Sequence, residues 1–342
     1  MRLLLITQVI DKHDPGLGFF CEWISELAPR FESIEAVCLY EGEHDLPVNV
    51  RVHSLGKEKG RVSGLVYALR FKVLAWKLRH SYDAVFVHMN QEYVLIAGPL
   101  WKLLGKPVHM WRNHYAGSFL TDIAAAFCTR IFCTSRHSYT AKFKKTVLMP
   151  VGVDLGRFSP GLPEARNKGS ILFLARMAPS KDPLLLLEAL KQLADQGVPF
   201  TATFVGSPLP EHEAYYDSVV ERVGRYHLSG RVSFLPGVSK EAAAPLYRSH
   251  EIFVNCSPSG MLDKTIFEAA ASGAVVLAKS GDYGALVGEA YGFASAAELA
   301  ELLARYLLMP DLAETARPLK EAAQAQGLAI LGERLAAAIT NV

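Results

Sequence analysis

Short apolar runs alternate with longer amphipathic stretches from one end of the chain to the other, the pattern of βα units wrapped around parallel sheets. In the front half the runs predict strands at 3–7, 36–40, 50–53, 84–88, 108–111, 131–134 and 147–149, with helices at 19–28, 65–79 and 94–104. The stretch 150–168, rich in Pro, Gly and charge, interrupts the alternation and reads as a connection. The pattern then restarts with strands at 171–174, 201–205, 232–235, 252–254 and 275–278, separated by helices at 183–194, 215–226, 241–247 and 265–271. After Ser295 the chain is rich in Ala and Leu and is expected to be helical to Val342.

Two doubly wound α/β domains follow from this pattern. The N-terminal one covers 1–155, the linker 156–168 and the C-terminal one 169–325, with 326–342 expected as a helix that crosses back to the first domain. Ligands of such sheets bind beyond the carboxyl ends of the strands, so the expected site is the cleft between the domains. The length of 342 residues, half of them hydrophobic, suffices for two cores.

Composition narrows the function. The formal net charge of +2 points neither to nucleic acid nor to an acidic tail, but it conceals an asymmetry. Up to Leu155 there are 19 Lys and Arg against 14 Asp and Glu, and beyond it 17 against 20. The five cysteines (Cys21, Cys38, Cys128, Cys133, Cys256) are scattered, odd in number and without metal-ligand spacing, which suits a reducing cytoplasm. The opening MRLLLITQVID carries an acid and no small-residue cleavage site, so it reads as a first strand and not as a signal peptide. No stretch approaches the ~18 to 20 apolar residues needed to span a bilayer. A cytoplasmic protein is expected, at most peripheral on a membrane.

A peripheral position has a specific motive. From Lys59 to Tyr82 there is no acid, while Arg61, Arg70, Lys72, Lys77 and Arg79 interleave with large apolar residues. From Ile123 to Val153 acids are again absent. A basic amphipathic helix suits an anionic membrane surface, and it equally suits a helix packed on its sheet with a solvated cationic face.

Candidate chemistry gathers at strand ends. In ARMAPSKDP, Arg176 stands at the end of a strand and Lys181 just before a helix start at Asp182 and Pro183. Two cations there can hold a diphosphate and stabilise it as a leaving group, or can be ordinary solvated side chains. In NCSPSGMLDKTIFEAAASG, the backbone around Ser257, Ser259 and Gly260 can face an anion, and Asp263 is a candidate N-cap for the helix opening at Lys264. Glu268, one turn in, can accept two hydrogen bonds from vicinal ribose hydroxyls, or can be a surface acid near a helix N-terminus. The Gly16-Leu17-Gly18 turn permits close backbone approach to a phosphate, but Phe20 and Cys21 stand where a dinucleotide fingerprint needs its third glycine. This disfavours NAD. His114 in HMWRNHYAGS, and with less support His88, follow strand ends where a histidine can bond a sugar or phosphate or simply satisfy a loop.

Together these residues resemble the retaining, nucleotide-sugar-dependent glycosyltransferases of the GT-B fold, family-four type. The resemblance runs over nearly the whole chain, through LLLITQVID, the Gly152-Val153-Asp154 turn, FLARMAPSKDPLLLLEAL, FVGSP with Gly206, and the span 252–277, similar to the family's Glu-x7-Glu block. It implies that Arg176 and Lys181 bind the diphosphate, that Glu268 holds the ribose, that His114 lies near the donor sugar, and that Gly18 faces the diphosphate. Donor contacts are further implied for Gly206, Ser259, Gly260, Asp263 and Lys264. Gly260 stands where the family has its first Glu and Ala175 where it has a glycine, so Asp263 or Ser259 takes over the sugar contact, or the donor differs. The implied reaction needs no metal and no cofactor, with a nucleotide sugar as co-substrate and a glycan or polyprenyl-linked acceptor in cell-surface polysaccharide synthesis. A nucleotide-sugar epimerase of the same fold and a catalytically degenerate partner protein are the alternatives; a phosphorylase would need pyridoxal phosphate and a longer chain.

Overall fold

The computed structural model describes residues 1–14, 16–161, 166–260 and 262–341. The chain divides into two compact units, one made of Met1–Gly152 with Leu328–Val342 and the other of Val153–Gly327. The first division thus falls at Gly152 and not at 155, and the segment expected as a linker belongs to unit 2.

Unit 1 contains β1 (Arg2–Ile10), α1 (Phe19–Leu27), β2 (Ser33–Glu41), β3 (Val50–Ser54), α2 (Gly64–Lys77), β4 (Ala84–His88), α3 (Gln91–Leu103), β5 (Val108–Trp111), α4 (Phe119–Phe127), β6 (Arg130–Cys133) and β7 (Thr146–Leu148). The strands pair in parallel in the order β3-β2-β1-β4-β5-β6-β7. Strand β1 is an interior strand, with Leu5 paired to Ala36 on one side and Phe86 on the other. Its two faces explain why it reads as a continuous apolar run: Leu3 and Leu5 pack into one core with Phe20, Trp23 and Ile24, while Leu4 and Ile6 pack into a second with Phe71, Tyr93 and Trp101.

Unit 2 contains β8 (Asn167–Leu174), α5 (Pro183–Asp195), β9 (Thr201–Val205), α6 (Glu213–Arg225), β10 (Val232–Leu235), α7 (Lys240–Ser249), β11 (His250–Asn255), α8 (Lys264–Ala271), β12 (Val275–Ala278), α9 (Gly281–Val287), α10 (Ala296–Leu307) and α11 (Ala313–Gln324). Its parallel sheet runs β10-β9-β8-β11-β12. Arg166, expected in the linker, is instead a half-buried staple: its guanidinium donates to the carbonyls of Tyr247, His250 and Ser272, tying the end of α7, the start of β11 and the end of α8.

The helical tail is not continuous. Breaks follow Leu307 and Gln324, and the last helix, α12 (Leu328–Thr340), belongs to unit 1, where Leu331, Leu335 and Ile339 join the Trp23 core. Gly152 is suited to the first crossing point: its φ is +77°, and a Cβ there would lie 2.5 Å from Leu331.

Candidate active site

Both sheets reverse strand order between their first and fourth strands, and such a switch point opens a crevice at the carboxyl ends. In unit 2 these ends belong to β8 and β11. Arg176 follows β8, is exposed, and makes no side-chain hydrogen bond or ion pair among the described residues. Lys181 lies one short turn later and is engaged. Its Nζ donates to both Asp263 carboxylate oxygens at 2.7 and 2.6 Å and to Ser257 Oγ at 3.1 Å. Ser257 Oγ and Asn255 Nδ2 donate to the same carboxylate at 2.5 and 3.1 Å. The last strand residue, the loop and the β8 turn are therefore locked around one charge pair.

This network corrects two readings of the sequence. Asp263 occupies the N-cap position of α8 but makes no side-chain cap; its carboxylate is spent on Lys181, Asn255 and Ser257. The Gly260 amide, expected to face an anion, donates to Asp282 Oδ2 at 3.1 Å. Ser259 Oγ in turn accepts from the Gly281 amide at 2.9 Å, so the loop is held to the start of α9. Gly260 has φ +91°, a conformation that favours glycine.

Glu268 is buried, 9% exposed, and accepts a hydrogen bond from Tyr247 Oη at 3.3 Å. Burial, with the charge of Glu268 beside it, pushes the Tyr247 phenol well above its usual range. The reading of Glu268 as a surface acid fails on this burial. Lys264, the first residue of α8, is half-buried. Gly206 directly follows β9 with φ +154°, and a Cβ there would fall against the Ala175 carbonyl.

In unit 1, Gly18 precedes α1. A Cβ there would meet the carbonyl oxygens of Asp14 at 2.6 Å and Lys12 at 2.8 Å, so the close approach of backbone to backbone requires glycine. His88 ends β4 fully buried, its Nδ1 3.3 Å from Thr7 Oγ1 and its ring stacked on Phe20 at 3.9 Å. His114 lies three residues beyond β5 in an open concavity of about 410 Å³ lined by Met89, Arg112, Asn113, Ala116, Gly117 and Ser118. Its Nδ1 accepts from the Ala116 amide at 2.9 Å, which leaves Nε2–H as the ring's donor. Sequence reasoning passed over Arg112. The only signal was its place two residues before His114 at a strand end.

Comparison with known proteins follows the same division. Residues 168–308, most of unit 2, match the model of the family described as Glycosyl transferases group 1. A D-inositol 3-phosphate glycosyltransferase of Nocardia farcinica is 30% identical over 150 residues, 41% of this chain and 33% of that protein. The match thus spans about a third of that relative's length. The UDP and glucose complex of Anabaena HepE superposes with a TM-score of 0.79 at 18% identity, covering 100% of both chains. The fold is GT-B. WaaG, a glycosyltransferase involved in lipopolysaccharide biosynthesis, shares this GT-B fold with a TM-score of 0.71 at 16% identity over 99% of this chain and 100% of its own.

Proposed function

We propose that the protein is a glycosyltransferase that moves a sugar from a nucleotide-sugar donor to a glycan or lipid-linked acceptor, with retention of configuration, in the building of a cell-surface polysaccharide. The observation that carries this reading is the match of residues 168–308 to group 1 glycosyltransferases, in the same unit whose β8 and β11 ends gather Arg176, Lys181 and the loop before Lys264. In support, the matched Nocardia relative is named for glycosyl transfer, and HepE is named with UDP and glucose bound.

In this mechanism the bond between the sugar's anomeric carbon and the diphosphate breaks, and negative charge grows on the departing diphosphate. Arg176 and Lys181 stabilise that charge. The acceptor hydroxyl attacks from the same face and passes its proton to a phosphate oxygen, so no covalent enzyme intermediate and no metal is required. His114 positions the transferred sugar through Nε2–H, and Glu268 orients the nucleotide ribose. The test is a thermal-shift panel of UDP-, GDP-, ADP- and dTDP-sugars. A ligand at 100 times its dissociation constant stabilises by ~2.7 kcal/mol, and a flat response to all four removes the reading.

We further propose that the enzyme works at an anionic membrane surface through α2. No helix among the described residues is long and apolar enough to cross a membrane. On α2, however, Leu65 is 84% exposed, Leu69 64% and Trp76 49%, at helical spacing along one stripe, with Val66 and Val73 beside them. Arg61, Lys72 and Lys77 flank the stripe as exposed cations, and Arg79 lies 4.2 Å over the Trp76 ring. Each cation near an anionic surface contributes about 1 kcal/mol. The protein is expected to sediment with phosphatidylglycerol vesicles and not with phosphatidylcholine ones, and the double substitution Leu65→Glu, Trp76→Glu should release it. Equal recovery in the supernatant with both lipids at low salt overturns this.

A further inference from the structure

The concavity beside His114 presents hydrogen-bond donors and no carboxylate. Arg112, directly after β5, sends Nη2 to the Ala116 carbonyl at 3.1 Å and pairs with no carboxylate among the described residues. Its Nε–H is buried without an acceptor there. Partial burial lowers its pKa from the usual arginine range, against the opposing charge of Glu92, the mark of a guanidinium partly stripped of water.

Asn113 shows the same polarity. Its Oδ1 is used twice, accepting from the Thr134 amide at 3.2 Å and from Ser138 Oγ at 3.0 Å, so the Nδ2 donors are what remains to face a ligand. The frame around these donors is rigid. Thr140 Oγ1 donates to the Arg112 carbonyl at 2.9 Å, and the Tyr139 amide donates to the His114 carbonyl at 2.9 Å. Gly117 is required because a Cβ there would fall 2.2 Å from the Tyr139 ring.

A cavity with one guanidinium and one amide donor, and no acid in its lining, is complementary to an oxyanion. Its volume of about 410 Å³ suits a ligand of sugar-phosphate size. We propose that this concavity recognises an anionic oxygen group, a phosphate monoester or a carboxylate, on the sugar acceptor, with Arg112 as the residue that selects for it. The word acceptor rests on the glycosyl-transfer reading; the anion site itself does not. Arg112 acts on binding and not on bond cleavage, so its loss should raise KM for an anionic acceptor far more than it lowers kcat.

Binding of glycerol 3-phosphate, glycerate and glycerol, followed by ligand-observed NMR with and without saturating UDP, tests the proposal. Glycerol 3-phosphate or glycerate, whichever group the site prefers, should bind the native protein at least about 10-fold more tightly than glycerol, in the presence of UDP as in its absence. Arg112→Gln should erase that preference and Arg112→Lys restore part of it, since a point charge lacks the guanidinium fork. UDP affinity should be unchanged in both variants. An anion preference that survives in Arg112→Gln, competition by UDP, or equal binding of all three probes to the native protein overturns the proposal. The last two outcomes need no variant, so they decide the matter even if Arg112→Gln fails to fold. Failure of UDP itself to bind would strike the donor reading and leave the anion result standing.

Discussion

Replacing Arg176 by alanine should lower kcat on the correct donor by on the order of 100- to 1,000-fold, the usual cost of removing one fixed donor from developing negative charge. Donor affinity should fall less, because the diphosphate gains charge as the glycosidic bond breaks and a fixed cation is worth more in that state than in the ground state. Since Arg176 is exposed and has no hydrogen bond or ion pair among the described residues, its removal should leave the melting temperature near that of the native protein. Lysine at this position should rescue only partly. Lys181→Ala should show a similar loss of turnover together with a lower melting temperature, because it strips the Asp263 carboxylate, only 19% exposed, of its cation at 2.6 Å. Steady-state transfer with circular dichroism as the folding control separates the two behaviours. Native turnover in Arg176→Ala would remove that residue from the site.

The second large effect is structural. Gly206→Ala should destabilise the protein by about 3 kcal/mol or more, because its Cβ would fall 1.9 Å from the Ala175 carbonyl oxygen and 2.9 Å from its carbon. Backbone lies on both sides of the clash, and neither side is free to move. The Ala175 amide donates to the Val205 carbonyl at 3.1 Å and the Gly206 amide to the Leu235 carbonyl at 3.0 Å. The residue displaced first would be Ala175, next to Arg176, so surviving protein should also be slow. Gly230→Ala is the control, since nothing lies within 4 Å of a Cβ there, and it should stay within about 0.5 kcal/mol of the native protein. A denaturation midpoint for Gly206→Ala indistinguishable from that control would show that the loop yields.

The strands were the most legible part of the chain. Those at Ala84–His88, Val108–Trp111, Thr201–Val205, Val232–Leu235 and Val275–Ala278 fall where the apolar runs predicted them, because a short run bounded by turn residues admits little else. Helix α4 escaped notice because Phe119 and Leu120 sit exposed on its first turn and blur the amphipathic stripe; the Ser118 and Thr121 pair at its start was the available signal. Helix α9 escaped because Gly281 and Gly284 read as turn residues. The site was legible as residue types at strand ends but not as partnerships. Lys181 and Asp263 meet across 82 positions of sequence, and Tyr247 reaches Glu268 from another helix. Neither contact leaves a trace in local spacing. Arg112 escaped notice for a related reason: the concavity it shares with Asn113 and Ser118 has no acid in its lining, and a linear reading does not display that grouping.

The return of α12 to unit 1 has a consequence for synthesis. Leu331, Leu335 and Ile339 complete the core that contains Leu3 and Trp23, and Arg130 donates to the carbonyls of Ala338 and Asn341. A ribosome therefore delivers every strand of unit 1 first and its closing helix last, with all of unit 2 translated in between. One face of the front sheet must wait, covered by Phe20, Trp23 and Ile24 of α1 but not yet by α12, while the rear unit can already close on its own residues. Unit 1, begun first, is thus completed only after the whole of unit 2 has been made, whereas unit 2 draws its core from one contiguous segment.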